Sequence, residues 1–244
     1  MIREQISKGL DHDPNFRWRG EAVTRIENLS DIIFALTLSL FVASASPPGV
    51  FSDLWPHLLT IFPVAAGFAM LLTIWNDHFT FFRRYGVADA KIIFINAVLL
   101  LVILFFAYPL RFSFDSLFAF ILGSIQGDWS MMEGLGIQTY RQAGEIIAIV
   151  SILLVIIYFL YHWMYMHVLQ KADLLDLSAS EIAITRRSIW MHRFQIAINA
   201  LVTFLSIFTI AGPFAAFLGI LNWPAAVIIT NRITLPDDKE STLQ

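Results

Sequence analysis

Long uncharged segments alternate with short polar segments along this chain. The uncharged segments cover residues 32–52, 54–76, 92–110, 146–170 and 194–231. Four of them are close to the roughly 20 apolar residues that an α-helix needs to cross a bilayer. The last one is too long for a single crossing, and Gly212-Pro213 near its middle is a sequence that breaks helices. The pattern therefore predicts six membrane-spanning helices.

We predict an all-α membrane protein that forms one transmembrane domain over residues 1–244. The approximate spans are 22–47, 54–79, 91–110, 145–168, 188–211 and 213–231. Residues 111–144 are predicted to form an outer loop, in which the apolar stretch 112–123 is too short to span and forms an interfacial helix or a cap. Residues 235–244 are predicted to be a disordered tail.

Composition excludes an ordinary soluble domain. Apolar residues make up 57% of the chain and charged residues 14%, against about 45–50% and 25% in soluble domains. The net charge of −3 offers no general attraction for nucleic acid. The absence of cysteine excludes disulfides, thiolate metal sites and cysteine nucleophiles. The bilayer is therefore the first partner that the sequence predicts.

The distribution of positive charge predicts the orientation of the spans. Of the 16 Lys and Arg residues, 14 fall in segments that the six spans place on one side, and only Arg111 and Arg141 fall on the other. Positive charge marks cytoplasmic segments. We therefore expect both termini to be cytoplasmic.

A polar cluster opens the first span at Arg25, Ser30 and Asp31. Pro47-Pro48 must end this helix, and the 15 residues from Ile32 to Ser46 extend only about 22 Å. The helix must therefore begin earlier, which places Ser30 and Asp31 near the inner membrane boundary. Asp31 lacks a cation at helical spacing, so its partner comes from another helix, another subunit or water. The alternative is an interfacial carboxylate at a helix start, where the dipole favours it.

Three further polar residues follow at membrane depth. Trp75 and His78 end the second span on one helix face, and Asn96 lies in the third. Taken separately, Trp75 is typical of an interface anchor, His78 of an interhelical hydrogen bond, and Asn96 of a contact between two helices.

Taken together and in this order, these residues resemble a known signature. Arg25, Ser30 and Asp31 are similar to the Arg-x-x-x-Phe-Ser-Asp motif of the transmembrane protein 175 family of potassium channels, with Leu29 in place of Phe. Trp75-x-x-His78 and Asn96, in a run leading to Tyr108-Pro109-Leu110-Arg111, resemble the same family's second and third helices. The resemblance covers roughly residues 20–112.

The resemblance implies a homotetramer of six-helix subunits in a bacterial plasma membrane, with the first helix lining a central pore. It also implies that the polar signature residues form a structural network beside the pore rather than ligands for the ion. That network comprises Arg25, Ser30, Asp31, Trp75, His78 and Asn96.

The resemblance further implies a conduction path along the first helix. The position of the family's hydrophobic constriction matches Leu36, and the following hydroxyl position matches Ser39. Leu36, Ser39 and Ala43 share one helix face. A leucine ring bars hydrated ions by dewetting, and hydroxyls replace lost hydration water. The alternative is that Leu36 and Ser39 pack against other helices.

The predicted function is passive conduction of K⁺, and of other monovalent cations, through the pore. Selectivity is expected to be modest, because Ser replaces the family's more usual Thr and no carbonyl-filter sequence occurs. The alternative is a secondary or proton-coupled transporter, for which a midplane carboxylate is expected. An intramembrane scaffold or enzyme subunit stays open as a third class. No enzyme motif, metal site or cofactor is predicted.

Overall fold

The computed structural model describes residues 15–20, 23–43, 49–51, 54–209 and 212–235, and all regular structure in those ranges is helical. The helices are α1 (Arg25–Ala43), α2 (Leu54–Leu59), α3 (Ile61–Tyr85), α4 (Ala90–Gln126), α5 (Ser130–Gly134), α6 (Tyr140–Gln170), α7 (Ala179–Phe208) and α8 (Asn222–Arg232), with a 3-10 helix over Gly212–Leu221.

Six stretches of the described residues are long and apolar enough to cross a membrane. They are Arg25–Ala43, His57–Tyr85, Ala90–Gln126, Tyr140–Gln170, Ala179–Phe208 and Gly212–Arg232. The all-α, six-span architecture predicted from the hydrophobic pattern is therefore confirmed. Parts of two predicted elements lie outside the described residues. They are residue 22 at the start of the first predicted span, residues 44–47 at its end, and residues 236–244 of the predicted tail.

Local sequence explains where several helices begin and end. Thr139 and Gln142 form a capping box at the start of α6, and Ser178 and Glu181 form one at the start of α7. In each box two side chains satisfy amide groups that lack helical acceptors. Gly86 ends α3 with φ of 59°, a conformation that glycine adopts without steric cost.

Helix α4 differs most from its prediction, because it continues past residue 110 to Gln126. Its 37 residues extend about 55 Å, well beyond a hydrocarbon core of roughly 30 Å. Arg111 was expected to start an outer loop over 111–144. Instead Arg111 is buried, and its Nε donates to Asp115 Oδ2 on the next turn at 2.7 Å. Because this pair neutralises both charges within one helix, the arginine does not interrupt it.

Other boundaries also extend into charged sequence. Helix α3 continues to Tyr85 rather than ending at 79, and α7 begins at Ala179 rather than 188. Charged residues mark the edge of the hydrocarbon but do not break a helix that continues into water. The last span differs in kind, since its first half is the 3-10 helix and only its second half is α-helical.

The core of the chain lies among α3, α4 and α6, where large aromatic side chains are fully buried, such as Phe81, Phe106 and Tyr161. The outer surface is apolar as well, with exposed residues such as Phe105 and Phe159. A surface of this kind is suited to lipid contact. Helix α1 packs on α3 and α4, and the other described residues leave its opposite side uncovered.

Candidate ion pathway and the network beside it

Helix α1 has two chemically different faces. Glu27, Ser30, Phe34, Thr37 and Phe41 are buried on one face. The opposite face carries Leu36, whose exposed fraction is 46%, with Ser39 and Ala43 exposed beside it. The Ser39 hydroxyl donates to the Ala35 carbonyl at 2.8 Å. The structure thus brings the three predicted pathway residues onto one face that no other described helix of the chain covers.

A directional chain of hydrogen bonds joins three helices behind α1. His78 Nε2 on α3 donates to Asn96 Oδ1 on α4 at 2.8 Å. Asn96 Nδ2 donates to Ser30 Oγ on α1 at 3.0 Å, and Ser30 Oγ donates to the Ile26 carbonyl at 2.8 Å. All three side chains are buried. In hydrocarbon, satisfied polar groups of this kind hold helices at a fixed rotation.

Asp31 and Trp75 form a separate contact at the edge of the same interface. Trp75 Nε1 donates to Asp31 Oδ1 at 3.0 Å, which links α1 to α3. The carboxylate therefore has a partner from another helix of the same chain. Arg25 is exposed, and its side chain makes no hydrogen bond or ion pair with the residues that the structure describes. The structure brings Arg25 to the start of α1 but not into the network.

Glu27, the acidic neighbour of Asp31 on the preceding turn, is turned away from it. Its carboxylate accepts hydrogen bonds from the Thr24 amide at 3.1 Å and the Thr24 hydroxyl at 2.9 Å. The Glu27 amide in turn contacts the Thr24 hydroxyl at 3.3 Å. This is a capping box, and it gives the buried glutamate a structural role at the start of α1.

The C-terminal end of α1 is held by contacts that the sequence analysis missed. The Phe41 ring lies over Gly67 of α3, where a Cβ atom would stand 2.1 Å from Phe41 Cζ. The Arg111 guanidinium lies 5.7 Å from the centre of the Phe41 ring and donates to the Phe41 carbonyl at 3.4 Å. The i, i+4 spacing of Arg111 and Asp115 was the available signal for a buried pair. Gly67 lies inside an apolar run, and nothing in the sequence signals its close contact with Phe41.

The segment before α1, residues 15–20, is attached to the end of α3 and the start of α7. Arg19 donates to both carboxylate oxygens of Glu181 at 2.8 and 2.9 Å. It also donates to the carbonyls of Leu175 and Asp176. The Gly20 amide donates to the Arg83 carbonyl at 3.1 Å. We call this segment the strap, because it ties the chain leading into α1 to the ends of α3 and α7.

Asp89 connects the start of α4 to the end of α6. It caps α4 by accepting from the Ile92 amide at 3.0 Å, and its Oδ2 accepts from His167 Nε2 at 2.7 Å and Lys171 Nζ at 2.5 Å. Burial alone would raise the pKa of Asp89, but the hydrogen bonds from His167, Lys171 and the amide outweigh it and hold that pKa well below its usual range. The group is therefore a charged clamp at neutral pH.

The described residues contain no group of three or more His, Asp or Glu side chains that could hold a metal ion. The polar groups beside α1 satisfy one another, as the hydrogen-bond chain from His78 to Ile26 illustrates. What the arrangement offers chemically is an oriented helix with an uncovered apolar and hydroxyl face.

Comparison with known proteins relates these features to a family. Residues 25–106 match the family model of the endosomal/lysosomal potassium channel TMEM175, a range that includes the six residues of the predicted network. A potassium channel of Marivirga tractuosa is 31% identical over 96% of this chain and 96% of that protein.

Two crystal structures have the same fold. A threonine-to-alanine variant of the potassium channel MtTMEM175, in complex with a nanobody-MBP fusion protein, has a TM-score of 0.77 at 31% identity, covering 88% of this chain and 95% of that one. A homologue of the lysosomal potassium-selective channel TMEM175 from Chamaesiphon minutus has a TM-score of 0.55 at 19% identity, covering 84% and 97%. The chain is an integral membrane protein that belongs to the TMEM175 family of potassium channels.

Proposed function

We propose that this protein is a potassium-permeable cation channel in which four copies surround a central pore lined by α1. The observation that carries the proposal is the uncovered face of α1 with Leu36, Ser39 and Ala43. A symmetric pore requires a helix with one face fixed to its own subunit and the other face free, and α1 has this arrangement. Membership of a potassium channel family supports the proposal independently.

The constriction follows from the side chains on that face. Four Leu36 side chains meeting at the axis would exclude water and so bar hydrated ions when the ring is narrow. One turn toward the outer side, four Ser39 hydroxyls would offer oxygen atoms in place of lost hydration water. The chain has no carbonyl-filter sequence, so selectivity would rest on these hydroxyls alone. We therefore expect K⁺ to be preferred over Na⁺ only modestly.

The buried polar residues then have a mechanical role. The hydrogen-bond chain from His78 through Asn96 to Ser30 fixes the rotation of α1, and the contact of Asp31 with Trp75 adds a second point on the same helix pair. These residues direct Leu36 toward the axis without contacting the ion. Conduction requires no cofactor, and K⁺ is the permeant ion.

The orientation and location follow from charge and relatedness. We place both termini in the cytoplasm, because 14 of the 16 Lys and Arg residues belong to that side of the six-span topology. The strap and the Asp89 clamp then lie at the cytoplasmic face. The Marivirga tractuosa relative supports a bacterial plasma membrane as the location.

The decisive experiment is K⁺ flux through the purified protein in liposomes. Vesicles loaded with K⁺ are diluted into K⁺-free medium, and efflux is measured with and without the protein, with Na⁺-loaded vesicles for comparison. A channel gives passive efflux that prefers K⁺ and needs no second gradient. Uptake that occurs only with an imposed proton gradient would instead establish a proton-coupled transporter.

A further inference from the structure

One side of α6 carries an exposed apolar stripe. Its residues are three or four positions apart, which places them on one face of the helix. They are Ile149, Ile152, Ile156, Phe159 and Trp163. Helix α6 packs on α4 and α7 through its other faces, and the described residues leave the stripe exposed. The stripe extends about 21 Å along the helix, enough for an acyl chain to lie against it within one leaflet of a bilayer.

Each of the two helices beside α6 contributes a cation that lies over a tryptophan ring. Lys91 Nζ of α4 is 5.6 Å from the centre of the Trp163 ring, the last member of the stripe. On α7, the Arg193 guanidinium carbon is 5.1 Å from the centre of the Trp190 ring. The positive charge of Arg193 also acts on His162, the residue before Trp163 on α6. Both cations therefore stand at the same end of the stripe.

This end of the stripe lies at the depth of the lipid headgroups. Lys91 is the last charged residue before the uncharged run 92–110, and Arg193 is the last before the run 194–231. The two tryptophans are exposed, and exposed tryptophans are enriched where a membrane meets water. A cation that lies over an aromatic ring keeps N–H groups free for a further acceptor.

The described part of the chain does not neutralise either charge. Lys91 and Arg193 are exposed, and their side chains make no hydrogen bond or ion pair with the described residues. Lys171, at the end of the same helix α6, by contrast binds the Asp89 carboxylate at 2.5 Å. Two positive charges beside one apolar stripe are therefore available to an anion that also carries an apolar chain.

We propose that this face of α6 binds an anionic phospholipid, whose acyl chain lies along the apolar stripe and whose headgroup lies against Lys91 and Arg193. Basic sites between membrane-spanning helices bind anionic headgroups in this way. A soluble anion would leave the stripe unused, and a zwitterionic lipid would leave the cations without net compensation. The inference concerns lipid binding, and it stands or falls separately from ion conduction.

Native mass spectrometry of the full chain tests the preference for a negative headgroup. Protein stripped of lipid in detergent is titrated with phosphatidylglycerol or with phosphatidylcholine that has the same acyl chains. Phosphatidylglycerol is expected to occupy the protein several-fold more at equal concentration. Equal occupancy by the two lipids would overturn the proposal.

Paired variants assign that preference to the two cations. Lys91→Gln with Arg193→Gln should lower the occupancy by phosphatidylglycerol to that of phosphatidylcholine. Lys91→Arg with Arg193→Lys keeps both charges and should keep the preference, which separates the loss of charge from a loss of folding. The control is Arg141→Gln with Arg232→Gln, which removes two exposed positive charges elsewhere and should change little. An equal loss in the control pair would mean general attraction and no site on α6.

Photolabelling locates the acyl chain. Phosphatidylglycerol that carries a diazirine on one acyl chain is added to nanodiscs of phosphatidylcholine, and labelled positions are mapped by mass spectrometry. Ile152, Ile156 or Phe159 should be labelled several-fold more than Leu72, an exposed residue of α3, and that difference should disappear when both cations are replaced by glutamine. Label that is as strong on Leu72 as on the stripe would exclude α6 as the binding face.

Discussion

Leu36 is the side chain on which the proposed conduction path depends most directly. If a leucine ring bars hydrated ions, shortening it widens and wets the constriction. We expect Leu36→Ala to raise K⁺ flux in liposomes several-fold. Val42→Ala is the matched control, because Val42 lies on the same helix with a similar exposed fraction, 49% against 46%, but about 120° away around it. Equal flux in wild type and Leu36→Ala at equal protein content would remove Leu36 from the pathway.

Gly67 tests how closely α1 and α3 must approach. A Cβ atom there would lie 2.1 Å from Phe41 Cζ, so the Phe41 ring must move out of its position. Gly67→Ala should destabilise the protein by roughly 1–3 kcal/mol, the usual range for overpacking. Thermal unfolding in detergent measures the loss.

Two companion variants make the Gly67 result specific. Phe41→Leu removes the ring that collides, so the cost of Gly67→Ala should be smaller in the Phe41→Leu background, as a double-mutant cycle would report. Gly134→Ala, at a glycine with no group within 4 Å of its Cβ position, should be close to neutral. Additive effects of Gly67→Ala and Phe41→Leu would contradict the contact.

Among the elements, the strap is the segment whose attachment can be tested most simply. Glu181→Gln preserves the capping box of α7, since glutamine serves there as well, but it removes the carboxylate that binds Arg19. The strap should then open more often. Limited trypsin digestion should cut after Arg17 or Arg19 several-fold faster than in wild type.

The control for the strap is Glu145→Gln, which removes an exposed partner of Arg141 at the start of α6. Cleavage of the strap should be unchanged in that variant. A strap in Glu181→Gln that resists trypsin as well as wild type would mean that the Arg19–Glu181 pair does not hold it.

The Asp89 clamp gives α4 and α6 a pH-dependent connection. Because its pKa is depressed in the folded protein, its contribution is fully present above the unfolded value of about 3.9 and is lost as pH falls through the lower folded value. Asp89→Asn keeps an effective helix cap but loses the charge. We expect a cost of about 1 kcal/mol at pH 7.5, the upper range for partly exposed ion pairs.

Thermal unfolding at two pH values checks the sign for Asp89. The difference between wild type and Asp89→Asn should be clear at pH 7.5 and smaller at pH 3. Asp173→Asn, at an exposed aspartate on the same side of the protein, should show little difference at either pH. A difference that grew on acidification would contradict the assigned role of the carboxylate.

Particular residues show what sequence could and could not predict. Uncharged runs identified the spans, because hydrophobicity is summed over many residues and one exception changes little. The family resemblance, rather than any local pattern, predicted that Ser30, His78 and Asn96 belong to one network. It placed Trp75 in the same network. Arg111 was misassigned to a loop, since a charge reads as a boundary unless its partner Asp115 is considered. The binding of Arg19 to Glu181 joins distant parts of the chain, and no local pattern signals it.

For the whole molecule, the proposed pore requires four copies. Native mass spectrometry from detergent should give four times the 27.7 kDa of one chain. Asp31→Ala removes the acceptor for Trp75 Nε1, loosens α1 on α3 and should lower the tetramer fraction at least two-fold. Asp173→Ala should leave it unchanged. A stable monomer in wild type would contradict the shared pore, and a normal tetramer in Asp31→Ala would return Asp31 to a simple role at a helix start.

The attachment of α1 near both ends limits how such a tetramer can open. The strap and the hydrogen bond of Asn96 to Ser30 hold its N-terminal end, while the Phe41 ring over Gly67 and the Arg111 guanidinium hold its C-terminal end. Because it is attached near both ends, α1 does not rotate about a hinge at either end. We expect each subunit to tilt as a rigid body, so that a concerted tilt of all four subunits widens the opening at Leu36.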